Sequence, residues 1–214
     1  MQYEKLTKTT HRLTGDGYRE YYKEGEELPY PSCTSVAKLW PDVYGLLKWH
    51  ADNFNNMEEV KDFLDEASAR GTRVHDEIAR ILAEPNLQWQ SEDKMVTSAL
   101  DYVRDNDLEV ISVEQTTFCE EPRFAATIDL LCKHPDKGLG VVDWKSGNIV
   151  DNHLLQVAAE AHAVGAEWGT VVSLDKPTKK GYKIRNIKLP RDWRRFAVLI
   201  PVWWERYRPE VIND

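Results

Sequence analysis

The sequence predicts an α/β protein in which one mixed β-sheet is flanked by helices. Helical patterns occupy most of residues 34–106, and three strand-like runs follow over residues 109–118, 124–132 and 139–144. Another helical run and two more strand-like runs lead to a last helix near the end of the chain. This order of elements is typical of a single sheet packed against helices.

Each element has its own signal. The first thirty residues contain turn sequences at residues 15–17 and 24–27 and predict a hairpin or an irregular arm. Residues 57–82 form the strongest helical pattern, with apolar residues at three-and-four spacing and a proline beyond the end. A short helix is predicted with Thr34 or Ser35 as its cap and Pro41 at its end, and a later helix over residues 153–165 with Asp151 or Asn152 as its cap. The remaining predicted elements are helices over residues 44–54, 91–106 and 192–207 and strands over residues 170–174 and 182–189.

Length and composition fit one domain over residues 1–214. The chain has 214 residues, 42% of them hydrophobic, which is enough for one good core or for a core with a small accessory lobe. No apolar run approaches the roughly 18 residues of a membrane span, so no membrane partner is expected. Three cysteines without close pairs, and an N-terminus without a signal pattern, favour a reducing compartment. We therefore expect a cytoplasmic protein.

The charge of the chain is unevenly distributed. The formal net charge is −8, yet residues 176–208 contain eleven basic residues and only two acidic ones. The local field governs phosphate contacts, so the global charge does not exclude a nucleic-acid partner. A basic segment of this kind is equally compatible with a solvated surface.

The most informative pattern joins two neighbouring strands. Asp143 and Lys145 interrupt an apolar run two residues apart, so they share one face of a strand. Asp129 lies in the preceding strand, and the intervening residues 133–138 have the chemistry of a hairpin turn. Such a hairpin would place two carboxylates beside an ammonium group, which suits a hard divalent cation. A plain surface hairpin explains each residue alone but not charges on the same face of an apolar run.

His75 is the candidate ligand on the strongest helix. It lies one turn after Gly71, beside the apolar stripe of residues 57–82. A lone histidine here is commonly a core-edge residue bonded to backbone, but together with the downstream aspartate and lysine pattern a functional role for His75 is favoured. The helical glycine costs about 1 kcal/mol relative to alanine, which favours a close approach to a strand or a phosphate.

These residues resemble the PD-(D/E)XK nuclease superfamily, and more closely its RecB-type and phage exonuclease branch. Asp143-Trp144-Lys145 matches the motif that gives the superfamily its name. The other matching segments, in the family's order, are the serine/threonine segment at residues 31–36, the glycine-then-histidine motif at residues 70–75, Glu114, the strand of residues 124–129 that ends in the first metal-binding aspartate, and the glutamine motif at residues 154–156.

The resemblance implies a restriction-endonuclease-like core and a role for each matched residue. Lys145, Asp143, Asp129 and Glu114 would be catalytic, and Lys145 would orient or help deprotonate the attacking water. The implied ligands of Mg²⁺ or Mn²⁺ are Asp129, Asp143, Glu114, His75 and the backbone carbonyl of Trp144. Gln156 would steady Lys145 or contact a phosphate, and Arg73 and Ser35 would contact the substrate. For Gln156 and Arg73 an ordinary surface residue is the alternative.

Two departures separate this chain from the family pattern. Ala125-Ala126 stands near the position where a glycine is common, and Glu160 takes the place of a tyrosine four residues after Gln156. The three cysteines are also too few for the iron–sulfur cluster of some relatives, so we expect no such cluster.

The function implied is a Mg²⁺-dependent deoxyribonuclease, an exonuclease that acts on DNA ends in phage-type replication, recombination or repair. Its partner would be DNA, as single strands or duplex ends, and a recombination or annealing protein is a further candidate partner. If the chain is phage-encoded, its place is the host cytoplasm. The alternatives are a catalytically weak or inactive nuclease-fold module that binds DNA or protein, and an enzyme that acts on RNA. Oligomeric state remains open.

Overall fold

A five-stranded mixed sheet forms the centre of the computed structural model, which describes residues 10–13, 18–41, 43–84 and 89–208. The strands are β1 Thr10–Leu13, β2 Arg19–Tyr22, β3 Tyr30–Pro31, β4 Glu109–Cys119, β5 Phe124–His134, β6 Gly138–Lys145, β7 Trp168–Ser173 and β8 Lys183–Asn186. The helices are α1 Cys33–Ala37, α2 Val43–Asn53, α3 Met57–Ala83, α4 Lys94–Asp105, α5 Asp151–Val164, α6 Arg191–Ala197 and α7 Leu199–Tyr207. The predicted fold class is confirmed.

The central sheet has the order β4-β5-β6-β7-β8. β4, β5 and β6 are joined by hairpins and pair antiparallel. β6 and β7 pair in parallel, because α5 carries the chain back across the sheet between them. β8 returns antiparallel to β7. A second, three-stranded sheet has the order β1-β2-β3, and the bridge between Ser32 and Ala125 joins the segment after it to β5.

Helices cover the sheet on both faces. On one face, α3 and α4 pack their apolar residues against Val142 and Trp144 of β6. On the other face, α5 packs against Val141 of the same strand, as the alternation of side chains along a strand requires. α1, α6 and α7 extend this second layer around Phe124 and Leu155.

The alternation of faces breaks on β5, next to the predicted site. Ile128 packs with α5, whereas Leu130, two residues later, packs with α3 and α4. The break coincides with Asp129, and the residue facing Asp129 on β4, Glu114, has a left-handed backbone with φ of 46°. The left-handed residue of β4 and the change of layer on β5 therefore occur at the same level of the sheet.

Three predicted element boundaries are wrong. The C-terminal helix divides into α6 and α7, because Pro201 has no N–H to donate to the preceding turn. The N-cap of α1 is Ser32 rather than Thr34 or Ser35, and that of α5 is Val150 rather than Asp151 or Asn152.

The N-terminal prediction falls partly on described residues. β1 and β2 pair antiparallel there, while the predicted turn at residues 15–17 lies outside the described residues. The assignment of the whole chain to one domain stays a prediction. Within the described ranges, no helix combines the length and the apolar composition that a membrane crossing needs.

Candidate active site

A groove of about 470 Å³ opens where α3, α1 and β2 meet the central sheet near the end of β6. It is strongly polar in composition. Its lining includes most of the predicted site, namely His75, Glu114, Asp129, Asp143, Lys145 and Gln156, together with Arg19, Tyr21, Ser32, Thr34, Ser68, Gly71, Thr72, Asp76 and Thr127.

Asp129 is held at the centre by the β5–β6 hairpin that the sequence predicted. Its Oδ2 accepts the backbone N–H of Trp144 at 2.9 Å and lies 3.4 Å from Nδ1 of His75. Burial alone would raise the pKa of Asp129, but the positive charges of His75 and Lys145 and the hydrogen bonds it accepts lower it. The carboxylate is therefore ionised and ready to bind a cation.

Glu114 reaches the same point from the neighbouring strand. Its Oε1 lies 3.8 Å from Nδ1 of His75. One ligand atom from each of His75, Glu114 and Asp129 can be chosen so that all three lie within 4.8 Å of one another. These three residues form the acidic and imidazole cluster of the groove.

His75 arrives from α3 and contacts both partners at once. Nε2 lies 3.0 Å from the carbonyl oxygen of Trp144, to which its N–H donates, so Nδ1 faces the carboxylates. Burial opposes the positive charge, but the attraction of Asp129 and hydrogen bonds to Asp129 and Glu114 raise the pKa of His75 to about 10. A histidine that binds a metal through one nitrogen commonly donates the other N–H to a carbonyl. The imidazole is oriented for that role.

Asp143 and Lys145 lie on the α5 side of the same site. Asp143 is fully buried, and its Oδ1 accepts Nζ of Lys145 and Nε2 of Gln156, each at 2.8 Å. Its other oxygen, Oδ2, is buried and has no partner among the described residues. Burial and the nearby charge of Asp129, against the effect of Lys145, raise the pKa of Asp143 to about 6.

Lys145 remains a cation despite its burial. Desolvation lowers its pKa, but the negative charges of Asp143 and Asp129 outweigh this and raise it. The ammonium group can therefore donate hydrogen bonds to a water or to a phosphate.

Glu160 adds a carboxyl group that the sequence did not assign to the site. Its Oε1 accepts a second hydrogen bond from Nε2 of Gln156 at 2.8 Å. The side chain is fully buried, and burial, followed by the charges of Asp143 and Asp129, raises its pKa well above the usual range. The four-residue spacing from Gln156 on a helix was the available signal.

Two predicted substrate residues lie away from the groove surface. Arg73 points from α3 to Asp93 at 3.4 Å, with 67% of its side chain exposed, and does not line the groove. Ser35 is buried, and its Oγ accepts the backbone N–H of Arg19 at 2.9 Å. Ser35 therefore supports Arg19, which is exposed and does line the groove.

The sequence reasoning missed Arg19 and the hydroxyl groups beside it. Tyr21 and Thr116 both lie within hydrogen-bond distance of Oγ1 of Thr127, at 3.0 and 3.1 Å. Thr127 precedes Asp129 by two residues, a spacing that could have identified it. Arg19 had no such signal, because its position depends on contacts between distant segments.

The donor set fits a divalent cation. Carboxylate groups from three strands and one imidazole line the groove, and the carbonyl of Trp144 lies behind the imidazole at 3.0 Å. Oxygen donors suit Mg²⁺ and Mn²⁺. Oδ2 of Asp143 is buried without a hydrogen-bond partner in the described part of the chain, and because an unsatisfied buried carboxylate oxygen is costly, this atom fits the binding of a cation.

Comparisons with known proteins identify the fold. No family model and no curated protein sequence matches the chain. Among solved structures, an alkaline exonuclease (LHK-Exo) from Laribacter hongkongensis superposes with a TM-score of 0.52 at 14% identity, covering 86% of this chain and 90% of that one. LHK-Exo in complex with dAMP gives 0.51 at 14% identity, covering 85% and 89%. SSO0001 gives 0.33 at 17% identity, covering 51% and 54%. The chain shares the fold of the alkaline exonuclease.

Proposed function

We propose that this protein is a metal-dependent deoxyribonuclease of the PD-(D/E)XK superfamily, from its RecB-type and phage exonuclease branch, and that it hydrolyses phosphodiester bonds at DNA ends. The observation that carries the proposal is the meeting of Asp129, Asp143 and Lys145 in one open groove, where Oδ2 of Asp143 has no hydrogen-bond partner among the described residues. The shared fold with an alkaline exonuclease supports it.

The cation would be held at the His75, Glu114 and Asp129 cluster, with Oδ2 of Asp143 as a further donor. When bound, Mg²⁺ or Mn²⁺ supplies Lewis-acid stabilisation of the phosphate and lowers the pKa of a bound water. The carbonyl of Trp144 orients His75 in this arrangement. It also remains a candidate ligand, because a carbonyl oxygen has two lone pairs.

The role of Lys145 follows from its charge. A protonated ammonium fixed by Asp143 donates hydrogen bonds rather than accepting a proton, so we assign it to orienting the attacking water and to stabilising charge on the phosphate. Gln156 holds Asp143 from the α5 side.

The groove wall favours a phosphodiester strand as substrate. Arg19 of β2, Thr34 of α1 and Thr72 of α3 also line the groove, and guanidinium and hydroxyl groups are the side chains that commonly bind phosphate oxygens. We assign to Arg19 the substrate contact that was expected of Ser35 and Arg73 from their sequence positions.

The test is a time course on end-labelled DNA, single- and double-stranded, linear and circular, with Mg²⁺, Mn²⁺ or EDTA. We expect metal-dependent degradation of linear DNA with circles spared, loss of activity in Asp143→Asn, and no change in Asp136→Asn. Asp136 is an exposed aspartate in the turn of the same hairpin and serves as the matched control.

Each of three other results would assign the protein a different activity. Cleavage of circles would make the enzyme an endonuclease, and preference for a matched RNA strand would change the substrate. A folded protein that binds DNA without metal-dependent turnover would be the nuclease-fold binding module.

A further inference from the structure

We propose that Glu160 is a positioning residue that fixes the side-chain amide of Gln156, so that Asp143 is held through Oδ1 alone and keeps Oδ2 for the cation. This inference rests on the proposed function of the same site. Glu160 stands where the family that the chain resembles usually has a tyrosine.

The side-chain nitrogen of Gln156, Nε2, lies between two carboxyl groups. A side-chain amide nitrogen carries two hydrogens. In the structure this nitrogen lies 2.8 Å from Oδ1 of Asp143 and 2.8 Å from Oε1 of Glu160. Both hydrogens are used, each toward a carboxyl oxygen in the protein interior. Gln156 is itself 7% exposed, so water cannot readily replace either acceptor.

These two contacts determine the orientation of the Gln156 side-chain amide. With two carboxyl oxygens as neighbours, the amide has only one favourable orientation, because a flip would bring its carbonyl oxygen against another acceptor. The amide carbonyl of Gln156 is then the atom that remains for the groove, which Gln156 lines. Without an acceptor at residue 160, one hydrogen would lose its partner, and the amide would be free to rotate about its last torsion.

The two carboxylate oxygens of Asp143 have different surroundings. Oδ1 accepts from both Lys145 and Gln156, while the buried Oδ2 has no partner in the part of the chain that the structure describes. Two donors on one oxygen fix the rotation of the carboxylate. Glu160 therefore acts on the cation site through Gln156 and Asp143, without contacting the groove.

Three variants separate positioning from simple packing. Glu160→Gln keeps the shape and an acceptor oxygen, whereas Glu160→Met keeps the length but removes the acceptor. Ala159→Gly is the matched control, since Ala159 is a fully buried neighbour on α5 that faces the α1, α6 and α7 cluster. Glycine in a helix costs about 1 kcal/mol, so this control destabilises α5 without touching Gln156.

The readouts need no cleavage of DNA. The first is the ¹H–¹⁵N spectrum of the Gln156 side-chain amide in metal-free protein, assigned with a Gln156 variant. The second is the dissociation constant for Mn²⁺ by calorimetry. We expect two exchange-protected amide protons in the wild-type protein and in Glu160→Gln. In Glu160→Met one proton loses protection, and Mn²⁺ affinity falls by about tenfold, the lower end of the range for residues that orient metal ligands.

The control decides between the explanations. Ala159→Gly is expected to lower the melting temperature while leaving the Gln156 protons and Mn²⁺ affinity as in the wild type. The proposal is overturned if Glu160→Met leaves both readouts unchanged, or if Ala159→Gly weakens Mn²⁺ binding as much as Glu160→Met does.

The proposal can still be tested if Glu160→Met does not fold or if the protein does not cleave DNA. If Glu160→Met does not fold, the wild-type spectrum alone tests the proposal, and a single protected proton on Gln156 overturns it. If no DNA is cleaved but both readouts change as expected, the role of Glu160 stands and the nuclease function fails.

Discussion

Glu114 on β4 and Asp129 on β5 face each other between the register pairs Val113–Leu130 and Gln115–Ile128. Glu114 takes this position with a φ of 46°, which is rare for a residue with a long side chain. The conformation brings its carboxylate toward His75, and strain of this kind is commonly stored at functional sites.

Replacing Glu114 should separate stability from metal binding. Asparagine tolerates the left-handed region better than glutamate, so Glu114→Asn should stabilise the metal-free protein by about 1 kcal/mol, the low end of the cost of such strain. The same change removes a carboxylate from the cluster and should weaken Mn²⁺ binding. Denaturant unfolding in EDTA and calorimetry measure the two effects. Glu109→Asn, at an exposed position of β4 with ordinary backbone, is the control and should not stabilise; equal stabilisation by both variants would contradict the assignment of strain.

Lys145 should matter for turnover rather than for holding the cation. Lys145→Ala removes the ammonium that orients water and phosphate, and we expect kcat to fall by about 100-fold or more. Mn²⁺ affinity should persist, because Gln156 still donates to Oδ1 of Asp143 and because loss of the Lys145 charge removes a repulsion on the nearby cation. Single-turnover kinetics and calorimetry provide the measurements. Lys133 is an exposed lysine near the end of β5, and Lys133→Ala should leave kcat and Mn²⁺ affinity unchanged. Loss of Mn²⁺ binding in Lys145→Ala would show instead that the lysine maintains the ligand geometry.

The stability of the metal-free protein should fall as the pH rises from about 6.5 to about 10. The pKa of His75 is raised from 6.5 to about 10, so the folded state keeps a proton that the unfolded chain loses in this window. The attraction of His75 for Asp129 is thus fully present below pH 6.5 and is lost as the pH passes 10. One such proton gives a slope of up to about 1.4 kcal/mol per pH unit.

His75→Gln should flatten this pH dependence, because glutamine does not titrate. His162→Gln is the control, since His162 is exposed and its pKa is lowered, which places its titration below the window. Urea unfolding in EDTA across the range measures the slope. An unchanged slope in His75→Gln would assign the dependence to another group.

Arg19 and Arg73 give opposite predictions. Arg19→Ala should raise KM for a DNA strand and reduce the slope of log affinity against log salt by about 0.7, the value for one phosphate contact on a single strand. Arg73→Ala should change neither, because that side chain pairs with Asp93 outside the groove. Binding measured over a salt series distinguishes them. If Arg73→Ala weakened DNA binding and Arg19→Ala did not, Arg73 would be the substrate contact, as its sequence position predicts.

The sequence was sufficient for the hairpin that carries Asp129, Asp143 and Lys145, because a period of two residues and a short turn are local properties. It also placed His75 on α3 through helical spacing. The contact of His75 with Trp144, 69 residues away in the chain, depends on the packing of α3 on the sheet. The sequence pattern does not record such packing.

The remaining differences have the same kind of cause. Arg19 reaches the groove because Ser35 fixes its backbone and a separate small sheet carries it. The left-handed Glu114 follows from the strand it opposes and not from its own preference, since glutamate has little tendency toward that conformation. The division of the last helix has a local signal in Pro201, although the apolar periodicity continues through that position.

The change of face on β5 has a consequence for how binding and folding are linked. His75 belongs to the helix layer on one side of the sheet, and Gln156 belongs to the layer on the other side. Because the alternation breaks at Asp129, both layers contribute to a single cluster of ligands and supports. A chain with only one layer docked would present half of that cluster. If the proposed cation binds there, its binding free energy is also free energy of docking both layers, and we expect only the completely assembled domain to bind the ion tightly.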